Sequence, residues 1–233
     1  MIILLCFGAP MAVSAEEADV DPYEGFNRAM FSFNEQIDAY IAKPLAQAYD
    51  FIMPGFVNEG ITNFFNNLDD VETLANSILQ AKFHNAVVAL NRVIWNTTFG
   101  LAGFIDVATY MDLRADEEDF GQTLAVWGYE SSSYIVWPFL GPSTIRDSFG
   151  RVGDSYTDPV HYVEGLSTLD RLAIQGLKAL DLRADLLSVE GLMTGSDRYT
   201  FIRNAFLQNR EFLIRDGEVV DDFASEDLYL DDF

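Results

Sequence analysis

The chain has 233 residues, enough for one large domain with a core of its own. It is 49% hydrophobic and 14% aromatic yet 22% charged, which excludes both a disordered chain and a body wholly immersed in lipid. With 14 basic against 37 acidic residues the net charge is −23, so there is no electrostatic footprint for nucleic acid and an anionic membrane surface would repel the chain. Contact with lipid has to come through apolar burial.

Residues 1–15, MIILLCFGAPMAVSA, contain no charged side chain, and Val13-Ser14-Ala15 offers the small residues of a signal-peptidase site ahead of Glu16. The expectation is a cleaved secretory signal over 1–15 and a mature chain from Glu16. Cys6 is the single cysteine, which excludes an intramolecular disulfide. Leu5 stands where a lipobox carries a small residue, so a lipid anchor on Cys6 is not expected. No later segment has ~20 uncharged apolar residues in a row, and no spanning helix is predicted.

Helical signals follow in series. Asp21-Pro22 with Glu24 reads as a capped helix start, and Tyr23, Phe26, Met30, Phe33, Ile37 and Tyr40 form one apolar stripe that Lys43-Pro44 should stop. A short helix from Leu45 to Met53 sits between Pro44 and Pro54. Apolar positions from Phe56 to Leu68 and from Val71 to Leu79 predict two helices broken at Asp69-Asp70; Phe83 to Thr97 continues the period. Ser167 caps a helix through Leu187, and Ser196 caps a last one through Leu213. Only Ser133 to Trp137 reads as a strand, and it is short. The fold class is all-α, a single domain of amphipathic helices over 16–216.

Two apolar limbs stand apart from this pattern. Phe99 to Ala108 contains Gly100 and Gly103, which mark close packing or a kink. Phe120 to Leu140 is aromatic-rich with a serine run at its middle, and the charge run Asp112 to Phe120 between the limbs reads as a solvated loop. Residues 217–233 hold seven acidic and no basic residues, a solvated tail or a docking strip for a basic partner.

Catalytic chemistry is poorly supplied. His84 and His161 each lack a second ligand at helical spacing, so both read as structural and no metal site or cofactor is expected. Nucleophile elbows, zinc-helix motifs and phosphate-cradling glycine loops are absent. Carboxylates are so abundant that no pair of them singles itself out as a general acid and base. The chain does not read as an enzyme.

Several motifs in order carry a resemblance: Asp21-Pro22, Glu24 and Phe26-Asn27-Arg28; Gly103 to Ala108; Phe120 to Leu124; Pro138 to Asp147 with Gly150; and Tyr199 to Leu213. Together they make the chain similar to the MlaA (VacJ) family, outer-membrane lipoproteins of Gram-negative bacteria. The resemblance implies a ring-like helical body in the inner leaflet of the outer membrane, on its periplasmic face, bound to a trimeric porin. It implies removal of misplaced phospholipid from the outer leaflet through an amphipathic passage and delivery to a periplasmic lipid-carrier protein. The alternative is a porin-associated structural protein that moves no lipid. Two departures from the family pattern are Leu5 in place of the lipobox's small residue before Cys6 and the stretch Gly128 to Tyr134, where only Gly128 remains of a glycine-rich turn.

Within that frame Phe26, Met30 and Phe33 are expected to face the passage, with Asn27 and Asn34 as its polar lining and Phe99, Leu101, Phe104 and Ile105 on the second limb. The competing reading of the first-helix set is plain core. Trp137, Pro138, Gly141 and Pro142 read as a rigid corner after an apolar hairpin. Arg146-Asp147 reads as an ion pair or cap that anchors it, with a lipid-phosphate contact at Arg146 as the second reading. Gly121 to Leu140 would then be a mobile gate, its motion concentrated at Gly128 and the serines.

Overall fold

The computed structural model describes residues 21–129, 132–188, 190 and 197–218. The expected signal with its cleavage site, Cys6, Ser131, Ser196 and the acidic tail past Glu218 lie outside the described residues.

The first helix, α1 (Glu24–Ile37), starts at Tyr23 without a side-chain cap. Asp21, the expected cap, turns inward instead. It accepts from Asn27 Nδ2 at 2.7 Å, from the Tyr199 hydroxyl and from Arg203 Nη1 at 3.1 Å, tying the start of the chain to its last helix. Nor does Lys43-Pro44 end the stripe. A π-helical turn, Asp38–Ala42, leads directly into α2 (Lys43–Ile52), with Pro44 in its first turn. A proline ring crowds the carbonyl four residues back and offers no N–H, and the wider π turn ahead of it takes up that misfit.

Pro54 then opens α3 (Gly55–Leu79), which runs unbroken through Asp69-Asp70. The break expected there is absent because both carboxylates have cationic partners on other helices. Lys178 reaches Asp69, and Arg92 Nε lies 3.0 Å from each oxygen of Asp70. A tight connection leads to α4 (Phe83–Phe99), which packs along α3.

The glycine limb reverses the chain rather than extending the helix. Gly103 takes φ +94°, and a Cβ there would stand 2.6 Å from Cβ of Asn67. After α5 (Val107–Tyr110) the charged run is only partly solvated. Glu118 is buried and accepts from Lys82 Nζ at 2.7 Å and Gln80 Nε2 at 2.8 Å, while Asp119 caps α6 (Phe120–Val126) through the Gln122 amide.

The one tempting strand is real. β1 (Tyr134–Trp137) pairs antiparallel with β2 (Gly141–Thr144), Tyr134 opposite Thr144 and Trp137 opposite Gly141. Pro138 to Leu140 form the turn, with Phe139 at φ +63° and Gly141 at φ +74°. Thr144 caps α7 (Ile145–Asp154), and a 3₁₀ turn, Pro159–Tyr162, follows. The last two helices are α8 (Thr168–Asp185), with the expected Ser167 cap completed by Asp170, and α9 (Arg198–Ile214), capped by Asp197.

Polarity is distributed against the pattern of a protein folded in water. Asn27, Asn76, Asn96, Gln122, Thr123 and Asp181 are among the largest fully buried side chains, while Phe51 is 90% exposed and Phe56 72%. The buried polar groups are supported by one another: Thr123 donates to Asn76 at 2.9 Å, Tyr49 and Thr62 each donate to Asp181 at 2.8 Å, and Asn96 accepts from the Ala108 amide at 2.9 Å. Apolar core survives in two small clusters, one around Ala46, Tyr49 and Ala184, the other around Tyr134, Val136 and Tyr199. No helix among the described residues is long and apolar enough to cross a membrane.

Candidate functional site

A cavity of about 740 Å³ opens between α1, the π turn, the β-hairpin, α8 and α9. Its α1 side is a second face of that helix, stepping Phe31, Asn34, Asp38 and Ala42, every three or four residues. Phe139, Leu140, Gly141 and Pro142 of the hairpin close another side, and Leu182, Leu186 and Ile202 supply apolar wall from the C-terminal helices. The π turn supplies Asp38, Ala39 and Ala42 to the wall, a placement common for π turns at functional sites.

The polar part of the wall is a row of ion pairs. Arg183 engages Asp38 through two bonds, Nε to Oδ1 at 2.6 Å and Nη2 to Oδ2 at 3.0 Å, and lies 3.4 Å from Glu190. Lys43 meets the other oxygen of Glu190 at 3.0 Å, and Arg198 meets Glu35 at 3.3 Å. The Lys43 hydrogen bond, reinforced by Arg183, holds Glu190 below its ordinary carboxyl range, and the Asp38 hydrogen bonds raise Arg183 above its own. All six groups line the cavity.

Two asparagines fasten the hairpin to α1. Asn27 is fully buried; it accepts from the Val136 amide at 2.8 Å and donates to the Tyr134 carbonyl at 3.1 Å. Asn34 repeats the motif two turns on, accepting from the Phe139 amide at 2.8 Å and donating to the Trp137 carbonyl at 2.9 Å. One helix face thus holds both ends of β1. Asn34 also lines the cavity, whereas burial removes Asn27 from the expected lining.

The other lining candidates divide. Phe26 and Phe33 are on the exposed side of α1, with Phe33 edge-on to Phe139 at 5.3 Å, and Met30 packs against the Tyr134 cluster. The lining phenylalanine of this helix is Phe31. Phe99, Leu101 and Ile105 are exposed near the α4 end, Phe104 packs over Gly60, and none of the four lines the cavity. The second limb therefore drops out of the lining set, because the chain reverses after α4 and lays Phe104 against Gly60 near the start of α3.

The corner residues become the hairpin and the start of α7. Trp137 Nε1 donates to Ser148 Oγ at 2.7 Å, and Pro138 is in the turn. Arg146 is buried, with Nε and Nη2 on Asp147 Oδ1 at 3.2 and 3.1 Å and Nη1 on the Tyr129 carbonyl at 3.3 Å. Those partners occupy the guanidinium that the lipid-phosphate reading required. Asp147 in turn receives Arg210 from α9, which also clasps Asp119 at 2.6 and 2.7 Å. Gly121, Gln122 and Thr123 are buried against this network, and the hairpin is held by Asn27 and Asn34. Of the segment expected to move, Val126 to Tyr129 and the turn residues Phe139 and Leu140 are the exposed described parts, and the turn is held by Asn34.

Glu35, Asp38, Lys43, Arg183, Glu190 and Arg198 were not singled out in the sequence. The signal present was the second polar-apolar period of α1, hidden beneath its more conspicuous aromatic stripe. His84 and His161 are both exposed, His161 beside Asp158 at 3.4 Å, and no metal-holding group of side chains occurs among the described residues.

Comparison with known proteins agrees with the sequence motifs. The MlaA lipoprotein family model matches residues 19–213. The intermembrane phospholipid transport system lipoprotein MlaA of Escherichia coli is 31% identical over 220 residues, covering 92% of this chain and 86% of the relative. Its namesake in Haemophilus influenzae is 36% identical over 207 residues, covering 86% and 82%. A solved structure, described as the structural basis for maintenance of bacterial outer membrane lipid asymmetry, superposes with a TM-score of 0.74 at 33% identity, covering 83% of this chain and 98% of that one. The chain belongs to the MlaA lipoprotein family.

Proposed function

We propose that this protein is a phospholipid-handling component of an outer-membrane lipid-asymmetry system. It takes misplaced phospholipid from the outer leaflet and passes it toward a periplasmic lipid-carrier protein. The observation that carries the reading is the cavity of about 740 Å³, apolar on most of its wall and lined by a row of charges on the rest. A site of that size lies within the usual range of ~300–1,000 Å³ for small-ligand sites, and its two kinds of wall match a headgroup and the start of its acyl chains.

The surroundings support the same reading. Exposed Phe51, Phe56, Phe83 and Phe99 give an exterior suited to the hydrocarbon of the inner leaflet, where helices keep their backbone bonds satisfied. The protein acts from the periplasmic face of the outer membrane, after export by a cleaved signal, and is held beside a trimeric porin. Its action is binding and passage without covalent chemistry. The exposed stretch Val126 to Tyr129 is where a gate would have freedom to move, since the segments on either side of it are anchored. A porin-stabilising scaffold would need the same exterior but no amphipathic cavity, and the cavity favours transport.

Native mass spectrometry of detergent-extracted protein tests this. The wild type should carry one phospholipid, and Ala39→Trp, which fills the cavity, should lose it while retaining its melting temperature. Undiminished lipid on the folded variant would favour the scaffold.

A further inference from the structure

The ion pairs on the cavity wall contain three cations, Lys43, Arg183 and Arg198, and three anions, Glu35, Asp38 and Glu190. Every cation has an anion within 3.4 Å, and Glu190 serves two of them. The wall is therefore neutral as a whole and alternates in sign along its length.

We propose that the cavity selects zwitterionic phospholipid headgroups, a phosphodiester beside an ammonium, by exchanging its own ion pairs for contacts to the lipid; this rests on the phospholipid-handling function above. Arg183 already presents a two-pronged face to a carboxylate, and the same fork fits two oxygens of a phosphodiester. When Arg183 turns to the phosphate, Asp38 is released to accept from the ammonium. A zwitterion enters with one charge of each sign and leaves no wall charge unmatched. A phosphoglycerol headgroup brings only the negative charge and strands a carboxylate beside apolar Leu182, Leu186 and Phe139. Leaving that carboxylate without its cation forfeits about one charge-assisted hydrogen bond. The chain's net charge of −23 acts in the same direction, against a net-anionic lipid.

The test is competitive loading of the purified full chain with phosphatidylethanolamine, phosphatidylglycerol and diacylglycerol of identical acyl chains, read by native mass spectrometry. Phosphatidylethanolamine should exceed phosphatidylglycerol by about tenfold, the worth of one charge-assisted hydrogen bond. Asp38→Asn and, separately, Glu190→Gln remove one anion each and should bring the ratio to one or below. Melting curves restrict the comparison to folded variants, and Glu190 is only partly buried, so its variant keeps the test decisive if Asp38→Asn unfolds. Equal or preferred phosphatidylglycerol in the wild type, or an unmoved ratio in the folded variants, overturns the selectivity. Binding of all three without preference leaves the transport function standing and removes only this inference. Binding of none removes both.

Discussion

Arg210 and Asp147 meet through two parallel hydrogen bonds, Nε to Oδ2 at 2.8 Å and Nη2 to Oδ1 at 2.9 Å, across 63 residues of sequence. The same guanidinium grips Asp119, so one side chain of α9 joins the start of α6 to the start of α7. Burial alone would raise the Asp147 carboxyl, but Arg210 and Arg146 hold it below its ordinary value. Its contribution is thus present at neutral pH and is lost as the pH falls through that lowered value. Arg210→Gln leaves the buried Asp147 carboxylate short of a partner, a loss of about 3–5 kcal/mol, and should lower the melting temperature by roughly 10 °C in a thermal scan at pH 7.

Gly150 packs directly on Gly121 in the same junction. A Cβ on Gly150 would stand 2.5 Å from the Gly121 nitrogen, which is backbone and has little room to yield. Gly150→Ala should destabilise by about 1–3 kcal/mol, measured by urea unfolding. Gly25→Ala, where a Cβ meets nothing within 4 Å, is the control and should be neutral or slightly stabilising.

The two hairpin asparagines should differ in kind. Asn27→Leu leaves the Val136 amide and the Tyr134 carbonyl buried without their partner, at about 1–3 kcal/mol each, and should lower global stability. Asn34→Ala frees the more exposed turn at Phe139 and should change stability by only about 1 kcal/mol. Amide exchange at Phe139 should nevertheless accelerate in Asn34→Ala while that of Val136 stays slow. Equal acceleration at both would mean that the hairpin opens as one unit.

Glu72 on α3 is surrounded by Asp69, Asp154, Asp158 and Lys178. Burial, followed by Asp69 and Asp154, pushes its carboxyl up to about 8 despite the opposing lysine. With a raised folded value, the native state holds the extra proton from about the ordinary 4.5 up to about 8. Stability from this group is therefore full at low pH and declines as the pH rises through 8. Glu72→Gln should melt higher than the wild type at pH 9, by ~2–4 °C per kcal/mol recovered, and the gap should close toward pH 5.

Much of the helical plan was legible because apolar period and capping are local. Ser167 marked the start of α8, and Pro54 marked the end of α2. Three readings failed, two where a tertiary partner decided the matter and one where a π turn did. Asp69-Asp70 looked like a break but has Lys178 and Arg92 to pair with, Lys43-Pro44 looked like a stop but follows a π turn, and Asp21 looked like a cap but binds Asn27 and Tyr199. The cavity was harder still. Three of its four pairs join residues more than 140 apart, such as Asp38 and Arg183, and no local pattern ties them together. The aromatic stripe of α1 drew the lining assignment to Phe26 and Phe33, while the lining face begins at Phe31. In water a stripe of large apolar residues marks the core; here much of it is outside, so the usual inference from hydrophobicity to burial pointed the wrong way.

If phospholipid travels through the cavity walled by α1, the hairpin and α8, then in cells lacking their own copy of this protein outer-leaflet phospholipid should return to its low level on expression of the wild type. It should stay high with Ala39→Trp or Ala42→Trp, both on the cavity wall, at equal protein abundance and undiminished association with the outer membrane. Full restoration of the low level by either folded, cavity-filled variant would contradict the account.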